Sequence, residues 1–142
     1  MKKLALFLIL AVLLGTTAFA GGQAEGEAAG GEEQYEIVMV VKLEGVAWFD
    51  NMRLGIQAFN EEFDDVDAYQ IGADTADPAA QVALVEDLIA KGVDAILVVP
   101  NDPASLVPAF ARANSQGIPT FTHEASVQQQ VSYDVEAFDN KA

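Results

Sequence analysis

Four clusters of side chains in this 142-residue chain carry the types needed to grip or transform a small molecule. Lys42 is followed closely by the aromatic pair Trp48-Phe49; Asp74, Thr75 and Asp77 come next; Asn101-Asp102 form a third group and His123-Glu124 a fourth. Rings, carboxylates, amides and one ammonium suit a small polyhydroxylated ligand. A sugar stacks its C–H faces on rings and pairs its hydroxyl rim with polar groups. Each residue also has a plainer use. Trp48 and Phe49 can pack the first loop onto a helix, and one ring can do each job. Lys42 can stand in solvent at a strand end. Asp77 and Asp102 are most simply helix N-caps, each being followed by proline.

Catalysis finds less support. His123 and Glu124 could act as acid and base, yet neighbours on an extended segment point to opposite faces and cannot easily serve one bond. A single histidine without cysteine makes no zinc site. Phosphate-cradling glycines are missing, since the first loop has only Gly45, and no Gly-x-Ser-x-Gly nucleophile turn occurs. The expectation is a binding protein with no metal and no cofactor.

The elements that must position these residues alternate. The run Glu36 to Lys42 (EIVMVVK) reads as a strand buried on both faces. Met52, Gly55, Ile56, Phe59 and Phe63 then fall on one helix face, with Asp50 or Asn51 placed as its cap. Ala68 to Ile71 is a short second strand. Asp77-Pro78 opens a second helix with Val82, Val85, Leu88 and Ile89 inward, and Gly92 ends it in the left-handed region. Ala95 to Val99 is the third strand. Asp102-Pro103 opens a third helix through Leu106, Phe110 and Ala113 to Gly117. Thr120 to Thr122 and Val131 to Val135 are the fourth and fifth strands. This alternation predicts an α/β fold, a doubly wound parallel sheet whose ligand crevice lies beyond the C-terminal strand ends.

The ends and the composition bound the setting. Met1-Lys2-Lys3, the apolar run Leu4 to Leu14 and Ala18-Phe19-Ala20 make a secretory signal peptide cleaved after Ala20. The apolar run is shorter than the roughly 20 residues that a membrane span needs. Residues 21–34 are a flexible Gly/Glu-rich leader, and residues 35–142 hold one domain. With no cysteine there is no lipid anchor and no disulfide frame. A formal net charge of -15 repels phosphate backbones, which excludes nucleic acid as a partner.

The stretches EIVMVVKLEGVAWFDNMRLGIQAF, LIAKGVDAILVVPNDPASLVPAFARANSQGIPTFTHEAS and YDVEAFDNKA, behind a signal peptide, resemble the periplasmic solute-binding proteins of sugar-type ABC importers. The likeness is to the ribose, rhamnose and autoinducer-binding branch. It implies a Rossmann-like N-terminal lobe, a hinge closing two lobes on a sugar or sugar-like ligand, and docking on a membrane permease. It also implies ligand contacts from Lys42, Trp48, Phe49 and Glu124, to which the position of the third loop at the crevice adds Asn101 and Asp102. At Ala125 the chain departs from relatives that carry arginine after the equivalent acidic residue. Relatives of this kind are roughly twice as long, so the resemblance implies an N-terminal fragment or truncated product without the second lobe. An exported sensor module feeding a chemoreceptor or histidine kinase is an alternative use of the same fold. The signal peptide sets the chain apart from the DNA-binding regulators that share it.

Overall fold

In the computed structural model, the residues described are 34–125 and 127–135. Residues 1–33, on which the expected signal peptide and most of the expected leader fall, residue 126 and the stretch 136–142 lie outside the described residues. The elements run β1 (Tyr35–Val41), α1 (Ala47–Glu62), β2 (Val66–Gly72), α2 (Pro78–Lys91), β3 (Ala95–Val98), α3 (Pro103–Ser115), β4 (Thr120–His123) and β5 (Tyr133–Val135). All neighbouring strands pair in parallel, in the order β2-β1-β3-β4-β5. The chain therefore moves outward from β1 in one direction to β2. It then jumps back across β1 to β3 and continues the other way, which makes the β1/β3 junction the switch point of the sheet.

Strand alternation divides the core. Val38, Val40, Ile96 and Val98 face α2 and α3, where they meet Val85, Leu88, Ile89, Leu106, Phe110 and Ala113 in one buried cluster. Phe110 is wholly enclosed. On the other face α1 lies mainly over β2. Beside it Ile37, Met39, Leu97 and Phe121 line an apolar trough of about 520 Å³ shared with Met52, Ile56 and Phe59 of the helix. The outer edge of β2 is not left bare. Asn60 of α1 donates to the carbonyl of Ala68 at 2.8 Å and accepts from its N–H at 2.9 Å, imitating a neighbouring strand.

The helix starts divide into two kinds. Asp77 accepts from Ala79 N at 2.9 Å and Pro78 takes the first helical position of α2. Gly92 closes that helix at φ +77°, a conformation that costs other residues about 1–2 kcal/mol. Asp102 caps α3 by accepting from Ala104 N and Ser105 N. Helix α1 behaves differently. It begins at Ala47, with Val46 as an N-cap that offers no side-chain bond. Asp50 and Asn51 are therefore not caps but lie inside the first turns, where Asp50 still complements the positive end of the helix. Ala47, the strongest helix former among the opening residues, thus stands at the start of the helix, upstream of the polar pair.

At the start of the sheet, Tyr69 donates to Glu36 Oε1 at 2.6 Å and Lys91 pairs with the same oxygen. The Lys91 hydrogen bond, aided by Tyr69, holds the Glu36 carboxyl below its ordinary 4.5. The Glu36 bond, then that of Tyr69, raises Lys91 above 10.5. Burial first, and Glu36 second, raise Tyr69 above 10.0. Lys91 and Tyr69 thus hold their protons more tightly when folded. Their contribution is full below the ordinary values and is lost as pH rises through the raised ones. That of Glu36 is full above 4.5 and is lost as pH falls through its lowered value.

Phe110→Ala should cost about 3–5 kcal/mol in urea unfolding through the cavity it leaves, while Asp77→Ala should cost only about 1 kcal/mol through its lost cap. Lys91→Met should flatten the loss of thermal stability above about pH 10 and shrink the acid-side loss below about pH 4.5, as read from melting temperature against pH.

Candidate functional site

Because every strand is parallel, the loops after β1, β3 and β4 leave the same end of the sheet, and they carry Lys42, Asn101 and Glu124 to one rim. Lys42 Nζ lies 3.0 Å from Glu124 Oε2, so the pair joins the exits of β1 and β4 across the end of β3. Both groups are partly exposed, at 32% and 20% of their side-chain surface. Such an ion pair adds about 0–1 kcal/mol to stability, but it fixes two charged heads beside each other within reach of solvent. Glu124 sits at φ +59°, the left-handed region that is uncommon for a residue with a side chain. That sharp turn ends β4 and directs the carboxylate toward Lys42, while His123 Nδ1 lies 3.0 Å from Val135 O of the neighbouring strand. The two adjacent side chains part, as expected of neighbours at a strand end.

Asn101 belongs to the scaffold of this rim as well as to its surface. Its Nδ2 donates to Lys42 O at 3.0 Å, tying the loop after β3 to the end of β1. Its own backbone N–H donates to Gln81 Oε1 at 2.7 Å. Gln81 is buried in α2, and its Nε2 donates to Val41 O at 3.2 Å and to Val99 O at 2.9 Å. Asp102 is occupied by capping α3, with its carboxylate turned to Ala104 and Ser105 N–H groups. In the second loop Asp74 and Thr75 are exposed, and Asp77 is taken by the α2 cap.

The aromatic pair separates. Phe49 is 6% exposed and packs with Val41 and Val99, with Met39, Val46 and Met52 around them. It is a core ring beneath the rim, held there by packing. Consecutive residues of a helix are set about 100° apart, and α1 takes in both, so the neighbouring ring cannot share that niche. Trp48 is 47% exposed in the first turn of α1.

Gln81 is the residue that reading the sequence passed over. Its spacing to Val85, Leu88 and Ile89 places it on the buried stripe of α2, the stripe the helix in fact shows. Val82, expected inward with Val85, Leu88 and Ile89, is partly buried and packs against the same cluster. Gly72 adds a second constraint at this end of the sheet. A Cβ there would lie 2.8 Å from Val41 Cγ2 and 3.2 Å from Glu44 Cγ, so only glycine lets the first loop lie against β2. Glu44 then pairs with Arg53 of α1, and its N–H donates to Ala73 O at 3.1 Å.

Residues 37–142 match the family described as periplasmic binding protein domain. The chain is 31% identical over 90 residues to the D-ribose/D-allose-binding protein of Pseudomonas aeruginosa, a match covering 61% of this chain and 28% of that one. An ABC transporter periplasmic solute-binding protein from Actinobacillus succinogenes, solved with bound D-allose, superposes with a TM-score of 0.62 and 31% identity over 70% of this chain and 35% of its own. A solute-binding protein from Agrobacterium vitis with bound D-fucose gives a TM-score of 0.66 at 28% identity, over 71% and 36%. The chain spans about a quarter of the length of the curated relatives it matches, and about a third of the solved ones. With a parallel sheet in this order and a rim at its switch point, the chain belongs to the periplasmic binding protein domain family.

Proposed function

We propose that this chain is the ligand-binding part of a solute receptor that captures a sugar or sugar-like molecule in the periplasm and delivers it to the membrane permease of an ABC importer. The observation that carries the reading is the meeting of Lys42, Asn101 and Glu124 on one rim at the β1/β3 switch point. A sugar hydroxyl both donates and accepts. The Glu124 carboxylate can accept a hydrogen bond from one hydroxyl while the Lys42 ammonium donates to the oxygen beside it, so a diol can bridge the pair they already form. Asn101 lends an amide to the same rim, and the exposed ring of Trp48 offers a face for C–H stacking. Asp102, whose carboxylate oxygens are engaged at the α3 cap, contributes at the second rank, and Phe49 supports the rim from below. Export by the signal peptide, with cleavage after Ala20, brings the receptor to the compartment where such sugars arrive. The D-ribose/D-allose relative and the D-allose and D-fucose complexes favour a monosaccharide of this size.

Calorimetric titration of the full-length protein with D-ribose, D-allose, D-fucose and L-rhamnose checks the proposal. At least one sugar should bind with a Kd in the micromolar range, about -8 kcal/mol. Lys42→Met and Trp48→Ala should each weaken that sugar by about tenfold or more, equal to roughly 1.4 kcal/mol, with little change in melting temperature. Silence from all four sugars and from an autoinducer panel would sink the reading.

A further inference from the structure

Gln81 stands where the ladder between the two central strands gives out. The β1/β3 register runs to Val40 opposite Val98, and Val99 N still donates to Val40 O at 2.9 Å. Pro100 follows and has no N–H to offer. Past that point the carbonyls of Val41 and Val99 and the N–H of Asn101 find their partner in one side chain, the amide of Gln81. An amide suits this place because it presents two donors and an acceptor in a plane, as a strand backbone would. Gln81 is 1% exposed, so a failure of these bonds would leave buried polar groups unpaired. From Asn101 the chain of bonds continues to Lys42 O, and the Lys42 side chain leads on to Glu124.

We propose that Gln81 is the positioning residue of the ligand rim, setting the peptides of Val41-Lys42 and Val99-Asn101 in their binding geometry before a ligand arrives and without touching it. For its ligand the proposal rests on the sugar-receptor reading above. The positioning itself is a property of the unliganded chain. Preorganisation of this kind removes an ordering cost from binding. Its signature is a loss of affinity out of proportion to the loss of stability.

Three variants of the full-length protein separate positioning from mere packing. Gln81→Leu keeps the bulk and removes every bond. Gln81→Glu keeps the acceptor for Asn101 N–H, loses both donors when ionised and regains one on protonation, and burial favours that protonation. Val85→Ala cuts a cavity one turn further along α2, in the core and away from the rim. Amide hydrogen exchange without ligand should rise by about tenfold or more at Asn101 and across residues 42–46 in Gln81→Leu, beyond any rise in Val85→Ala. In calorimetry with D-ribose and D-allose, Gln81→Leu should weaken binding by about 10–100-fold, while Val85→Ala leaves Kd within about twofold. Gln81→Glu should recover affinity, relative to the unaltered protein, as pH falls from about 8 to about 5. Should Gln81→Leu fail to fold, Gln81→Glu read at both pH values carries the same decision. Equal exchange in the Gln81 and Val85 variants, or unchanged affinity in the Gln81 variants, overturns the proposal. If the unaltered protein binds neither sugar, the receptor reading fails with those ligands, and the exchange comparison still decides whether Gln81 sets the rim.

Discussion

The two central strands part at the β1/β3 junction, and the structure depends on how that parting is sealed. A parallel sheet that reverses its winding direction must send neighbouring chains out in different directions, and each leaves backbone groups without a ladder partner. One buried amide from α2 meets those groups on both sides. The opening between the strands and the bonds that seal it therefore occupy the same few ångströms. Lys42 and Asn101 sit immediately beyond the seal, and their positions follow from it.

The rim is built on an unequal base. The face under α2 and α3 is a continuous core from Val38 to Ile118, closed around Phe110. On the α1 face the core shrinks to Val41, Phe49 and Val99, and the rest of that side is the apolar trough over Met39, Leu97 and Phe121. Phe49 belongs to the smaller cluster. It fills the space directly beneath the point where the first loop turns into α1, and Gly72 lets that loop close onto β2. Packing thus takes one ring of the aromatic pair and leaves Trp48 in the outer turn.

Charge follows the same logic of place. Lys42 and Glu124 come from exits separated by an intervening strand, and their meeting depends on the left-handed turn at Glu124. The pair of Glu36 and Lys91, with Tyr69, lies on residues from the start of β1, the middle of β2 and the end of α2. The first pair bridges strand exits at the rim; the second ties helix to sheet away from it.

Much of this was legible in the residues alone, because the signals are local. Apolar runs and helical spacing mark the strands and helices, and the Asp-Pro starts and Gly92 mark helix boundaries through hydrogen bonds and φ preferences that act within a few residues. Short alternating elements fix a parallel α/β sheet through the handedness of crossovers, and that already brings the loops after the strands to one end of the sheet. What the chain could not show by itself depends on contacts across many residues. The start of α1 upstream of Asp50, the burial of Phe49 against Val99, the reach of Lys42 to Glu124 and the use of Gln81 are all of this kind. Gln81 is the clearest case. Its place on the inward stripe of α2 is written in the spacing, but its polarity masks it, and only the folded sheet supplies the two carbonyls and the N–H that make a buried amide the right residue there.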